Sequence, residues 1–169
     1  PRDAHPVKHS SQIAAPSHRP TAWWMDVALL LACFICFAPG LSSGFSDFDD
    51  HGFVLEPTFW RGLSPGHLGA IFSTFRLGHY QPLTYLSYAI EYALFGLNPA
   101  VFHGTSIVLH ALCAILLRRL IGTVLALGSP SLSRSTVDTC ALIAAGVWAI
   151  HPLRVESVVW ITERRDVLS

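Results

Sequence analysis

The chain has 169 residues, of which 51% are hydrophobic and 13% charged, with a formal net charge of +0. Soluble domains carry about 25% charged residues, so this deficit, with a mean hydropathy of +0.46, points to a membrane protein. A neutral balance excludes the global basic field that a nucleic-acid-binding protein presents.

The first residue, Pro1, is not Met, and the closing "ERRDVLS" breaks off an unfinished pattern, so the chain reads as a fragment. Residues 1–21, rich in Pro, Ser and His and without periodicity, read as a disordered cytoplasmic tail. Residues 22–42, "AWWMDVALLLACFICFAPGLS", supply the first span, because a bilayer core of about 30 Å takes about 20 apolar residues. Trp23 and Trp24 suit the interfacial belt, and Asp26 must lie near that interface or face protein. A cleaved signal peptide is disfavoured, since "FAPGLSSGF" is a poor cleavage site.

Residues 43–98 form an outer loop, periplasmic or lumenal, with two interfacial helices. "SPGHLGAIFSTF" starts at Ser64 as N-cap with Pro65 at its first position. "QPLTYLSYAIEYALFG" starts near Pro82 and stops at Gly96; its apolar run is short and carries Glu91. Residues 99–121 are the second span, capped by Asn98, opened by Pro99 and ended at Gly122, with Arg118 and Arg119 snorkelling at its far end. Residues 122–138 are a cytoplasmic link. Residues 139–169 hold a third span, kinked or shortened at His151–Pro152, and an outer charged segment. Lys and Arg before the first span and after the second put those ends in the cytoplasm and the 43–98 loop outside; Arg154, Arg164 and Arg165 fall on the outer side and break that rule.

Three constellations can carry chemistry. "DFDDH" sets Asp47, Asp49, Asp50 and His51 just outside a span, where carboxylates act as a general base or hold a divalent cation; a solvated acidic turn is the plain alternative. His103, Ser106 and His110 share one helix face, either satisfied by neighbouring helices or lining a cavity. "HPLRVESVVWITERRD" groups His151, Arg154, Glu156, Glu163, Arg164, Arg165 and Asp166; arginines grip phosphate in bidentate fashion, and a charged surface helix with local ion pairs is the alternative. The aromatic loop, with Trp60, Phe72, Phe75, Tyr80, Tyr85, Tyr88 and Tyr92, reads for the most part as packing. The four cysteines, Cys33, Cys36, Cys113 and Cys140, sit in apolar stretches, and the C-x-x-C of Cys33 and Cys36 reads as small apolar side chains in a helix rather than a zinc or redox site.

The order of "FSDFDD", "GHYQPLTYLSYAIEYALFGLNPAVFHGTSIVLHAL" and "AIHPLRVESVVWITERRDVLS" resembles the tetratricopeptide-repeat proteins related to the cadherin-targeting protein O-mannosyltransferases, members of the wider GT-C glycosyltransferases. The resemblance runs from about residue 45 to 169, apart from 123–137. It departs at Phe48, Gln81 and Arg154, where Tyr, His and His are common. The resemblance implies an all-α membrane protein, the N-terminal part of a multi-spanning GT-C-like enzyme with about three spans in this chain. No period of 34 residues is visible, so any repeats would lie beyond Ser169. The implied reaction is inverting transfer of a sugar, mannose by the resemblance, from a polyprenyl or dolichyl phosphate to a Ser or Thr hydroxyl of an acceptor protein. The implied catalytic acids are Asp49 and Asp50, with Asp49 ahead as base. The implied contacts to sugar and lipid phosphate are His79, His151, Glu156, Arg164 and Arg165. No cofactor or metal is implied, although a divalent cation is compatible with the acids. The expected setting is a bacterial inner membrane or, in a eukaryote, the endoplasmic reticulum, with the active face outward. Three spans alone would not enclose such a site. The competing reading is a non-catalytic membrane anchor for a repeat region.

Overall fold

The structure, a computed structural model, describes residues 23–168; the tail proposed for residues 1–21 lies outside them. The described residues form α-helices joined by turns, with no β-strand among them beyond an isolated bridge between Arg76 and His79. The helices are α1 (Trp23–Phe37), α2 (Pro65–Ser73), α3 (Pro82–Phe95), α4 (Pro99–Gly128), α5 (Arg134–Ala149), α6 (Arg154–Val159) and α7 (Arg164–Leu168). A 3₁₀ turn at Ala38–Ser42 extends α1, and a π-turn occupies His51–Leu55.

Two of these stretches, Trp23–Ser42 and Pro99–Gly128, are long and apolar enough to cross a bilayer. In α1 every fourth residue, Met25, Leu29, Cys33 and Phe37, is buried, while Val27, Leu31 and Ile35 on the other side are exposed. In α4 the buried stripe runs Phe102, His103, Ser106, Ile107, His110, Ala111, Ala114 and Arg118, and Leu112, Leu116, Leu120 and Val124 face outward. Helices apolar on both faces fit a bilayer rather than water. α5 has 16 residues, about 24 Å at 1.5 Å each, and ends where His151 and Pro152 interrupt it. It lies against α4 through Ala141, Ala145 and Ala149, small side chains that let backbones approach.

One boundary and one side-chain orientation differ from the sequence reading. α4 passes through Gly122 to Gly128. Glycine stops a helix by taking positive φ, as Gly96 does after α3 (φ 67°); Gly122 does not take it. Arg118 does not snorkel. It is 5% exposed and turned inward, where Asp26 of α1 accepts from its Nε (3.0 Å) and Nη2 (2.5 Å), and from Arg119 Nη2 (2.8 Å). This triad fastens α1 to α4. Asp26→Asn is expected to lower stability in detergent by about 3 kcal/mol, the cost of leaving a buried charge uncompensated, measurable as a downward shift in the thermal unfolding midpoint.

The stretch from 43 to 98 folds onto the first turns of α4. Trp60, Tyr85, Tyr88 and Phe102 are fully buried and meet edge to face or tilted, Trp60 and Tyr88 at 5.7 Å between centroids. Ser64 caps α2 and Asn98 caps α4 with their side-chain oxygens. Phe72, Phe75 and Tyr80 remain exposed, so packing explains the inner aromatics and not these three.

Candidate active site

The last described turn places the trailing charged segment against the leading acidic one. Asp50 is 1% exposed. Its Oδ1 accepts from the backbone N–H (2.9 Å) and the hydroxyl (2.5 Å) of Thr162, and its Oδ2 from the N–H of Ser46 (2.8 Å). A carboxylate holding such bonds from a backbone and a hydroxyl makes charge-assisted contacts. Asp50 therefore ties segments 112 residues apart in sequence. Thr162→Val removes the hydroxyl and keeps the shape. It is expected to cost about 1.5–3 kcal/mol, the range for a hydrogen bond to a charged group, read by chemical denaturation.

Its neighbour Asp49 is half-buried and has no hydrogen-bond or ion-pair partner among the described residues. Asp47 is exposed. The backbone thus fixes Asp49 through Asp50 while leaving its carboxylate unengaged.

Arg164 is fully buried. Its Nη1 donates to both Glu91 oxygens (2.9 Å each) and to Ser87 (2.8 Å), its Nε to Ser106 (3.1 Å), and its Nη2 to the Phe102 carbonyl (2.7 Å). The guanidinium also lies over the Tyr88 ring at 4.6 Å. Burial pushes the Glu91 carboxyl up from its ordinary range, and Arg164 pulls it back. Burial likewise raises the Tyr88 phenol, which donates to the Ile161 carbonyl at 2.7 Å. Arg164 thus bolts α7 to α3 and α4.

Arg165 turns the other way. Its Nη2 donates to Glu163 (2.5 Å), while Nη1 is buried without a partner. Arg165 and His79 line one cavity of about 460 Å³, with Tyr80, Gln81, Leu83 and Asp166 also on the wall. Glu156 lines a second cleft of about 280 Å³, shared with Asp50, His103 and Trp160. His151 is exposed at the α5–α6 junction, where its Nδ1 accepts from the Leu153 N–H (3.3 Å). Asp50, Glu156, Arg164 and Arg165 therefore gather around the N-terminal end of α4 and the 43–98 segment, and His79 joins Arg165; among the described residues no hydrogen bond or ion pair brings His151 to the others. Among the described residues no three His, Cys, Asp or Glu side chains converge as a metal site.

Sequence reasoning overlooked Ser46 and Thr162, which donate to Asp50, and Ser87, which accepts from Arg164. Glu91 carried a signal, a lone acid in an apolar helix, whose partner was the open question. His103 and Ser106 were visible as a polar stripe within α4.

The described residues are helices and turns, two of the helices are long and apolar enough to cross a bilayer, and ionic clefts lie near their ends; these features point to a membrane protein. Comparison with known proteins narrows this. The chain is 33% identical over 100 residues to the Drosophila melanogaster protein O-mannosyl-transferase Tmtc3, covering 53% of this chain and 11% of that protein. It is 30% identical over 100 residues to mouse protein O-mannosyl-transferase TMTC1 (53% and 9%) and 26% over 165 residues to human protein O-mannosyl-transferase TMTC4 (90% and 22%). These curated relatives are TMTC-family protein O-mannosyl-transferases, as the motifs implied. The chain spans between about a tenth and a fifth of their length. No family model matches the chain, and no solved structure matches it significantly.

Proposed function

We propose that this chain is the membrane-embedded, site-forming part of a glycosyltransferase that moves a sugar, mannose by similarity to its relatives, from a polyprenyl or dolichyl phosphate to a Ser or Thr hydroxyl of a protein. The observation that carries this reading is the pairing at 49–50: Asp50 locked by Ser46 and Thr162, Asp49 held beside it with its carboxylate unspent. An inverting transfer needs one base. The acceptor oxygen attacks the anomeric carbon, its proton passes to Asp49, and the bond to the phosphate oxygen breaks. The phosphate leaves on its lipid as a stable anion and needs no acid. It does need positive charge and hydrogen-bond donors, and Arg165, which lines the larger cavity together with His79, offers them. Arg164 supports the site from behind rather than touching phosphate, because it is fully buried and its Nε, Nη1 and Nη2 are each bonded within the protein. Glu156 and His151 stand at the rim. Three spans, with α5 as the short third, would put the 43–98 loop and the trailing segment on the non-cytoplasmic face of a multi-pass protein.

The second reading, a non-catalytic anchor, draws on Arg164 itself, whose complete burial and pairing with Glu91 make part of the trailing charge structural. One experiment separates the two. Membranes expressing the complete gene are supplied with a radiolabelled mannosyl polyprenyl phosphate and a Ser/Thr peptide. Label in the peptide above vector controls supports the transferase; its absence with mannose, glucose and galactose donors alike supports the anchor.

A further inference from the structure

The C-terminal half of α4 carries a second charged cleft, which neither the base nor the donor-phosphate assignment uses. Arg118, Arg119 and Thr123 of α4 meet Arg134 and Asp138 of α5 around a cavity of about 380 Å³, within the range of ligand sites. Gly122, on its wall, lies about 30 Å along the helix from Phe102 at 1.5 Å per residue. The cleft is therefore about a bilayer core away from the Phe102 carbonyl that receives Arg164. Two of its arginines have donors to spare. Arg119 spends Nη2 on Asp26, and Arg134 spends Nε on Asp138. The other guanidinium nitrogens of both hold no hydrogen bond among the described residues. Both side chains are accessible, 54% and 74% exposed, so these donors can reach a ligand.

The charges select an anion. Three arginines line the cleft against two acids among the described residues, Asp138 on the wall and Asp26 bonded to Arg118 and Arg119, so one positive charge is in excess. A phosphodiester carries one negative charge, and its free oxygens accept from guanidinium forks. The surroundings select a lipid. Leu112, Leu116, Arg119 and Thr123 follow one another at helical spacing on one exposed face of α4. A charged head and an apolar track toward the middle of the helix thus lie in line. An accessible guanidinium beside such a track is costly in a bilayer unless an anion answers it, and basic pockets between spanning helices hold anionic headgroups. Residues 1–22, which precede α1, carry Arg2, Lys8 and Arg19 against Asp3, the wrong sign to fill the cleft.

We propose that this cleft holds the phosphate of an anionic phospholipid, gripped by Arg119 and Arg134, with an acyl chain laid along Leu116 and Leu112. The site stands apart from glycosyl transfer and holds whether the chain is a transferase or an anchor. In the test, the complete gene product in non-ionic detergent is titrated with dioleoylphosphatidylglycerol, and bound lipid is counted by native mass spectrometry. Arg119→Gln and Arg134→Gln are each expected to weaken the tightest phosphatidylglycerol site about fivefold, the effect of one basic residue near an anionic lipid. Together they are expected to weaken it about 25-fold, if the two arginines act independently. Arg134→Lys, which keeps the charge, is expected to retain most of the affinity. Dioleoylphosphatidylcholine is expected to bind parent and variants alike. The thermal midpoint of Arg134→Gln in lipid-free detergent should match the parent's, because an exposed ion pair four residues apart on a helix contributes little. Phosphatidylglycerol affinity unchanged in the double variant overturns the site, as does an equal loss for phosphatidylcholine. Displacement of the lipid by millimolar inorganic phosphate would assign the cleft to a soluble anion and overturn the lipid as occupant.

Discussion

Replacing Arg164 by Met is expected to destabilise the protein by about 3–5 kcal/mol, the range for removing one partner of a buried ion pair. The guanidinium is fully buried and satisfies Glu91, Ser87, Ser106 and the Phe102 carbonyl at once. Without it the Glu91 carboxylate stays in a site packed by Tyr88, Trp60 and Phe102. Burial already raises that carboxyl, with Arg164 opposing the rise, so the variant raises it further. A carboxyl whose folded pKa lies above its unfolded value favours folding below the unfolded value and loses that contribution as pH rises. The deficit of Arg164→Met should therefore shrink as pH falls toward the ordinary glutamate range and grow toward neutrality. Adding Glu91→Gln should recover a large part of the loss at neutral pH. Urea unfolding of the four members of this cycle in detergent, across that pH range, measures both effects; an Arg164→Met variant as stable as the parent at neutral pH would contradict the anchoring role.

The second large effect is catalytic. Asp49→Asn is expected to lower sugar transfer by about 10²–10⁴-fold, the usual contribution of a general base, with the thermal midpoint unchanged, since Asp49 holds no hydrogen bond or ion pair among the described residues. Asp50→Asn should behave differently. It loses charge-assisted bonds to Thr162 and Ser46, so stability and transfer fall together. Transfer rates in membranes, normalised to folded protein, separate the two acids. A large loss of transfer with intact stability at Asp50 and none at Asp49 would exchange their roles.

Much of the local structure was legible in the chain. Ser64–Pro65 and Asn98–Pro99 start helices because a side-chain oxygen caps the free N–H groups and Pro lacks one to satisfy. Gly96 ends α3 because it alone there tolerates positive φ. The motifs also pointed to the relatives that comparison found. What composition and spacing leave open is which way a charge faces. "ERRD" reads as a solvated run, yet Arg164 points inward because its partner Glu91 waits 73 residues upstream. Arg118 and Arg119 are neighbours on α4, and helical geometry turns the first to the core and the second outward. Among Asp47, Asp49 and Asp50, no local rule marks the third as the one that finds Thr162. Each of these is a pairing between distant segments, and only the packing of the 43–98 loop onto α4 creates it.

The proposal depends on the leading and trailing ionic segments opening on one side of the membrane. Single-cysteine variants at Asp47, Glu156 and Leu132, made with Cys33, Cys36, Cys113 and Cys140 replaced, test this directly with a membrane-impermeant maleimide on sealed, right-side-out vesicles. Labelling at positions 47 and 156 from outside, with position 132 reached only after permeabilisation, is the predicted result. Labelling of 47 and 156 from opposite sides would contradict it.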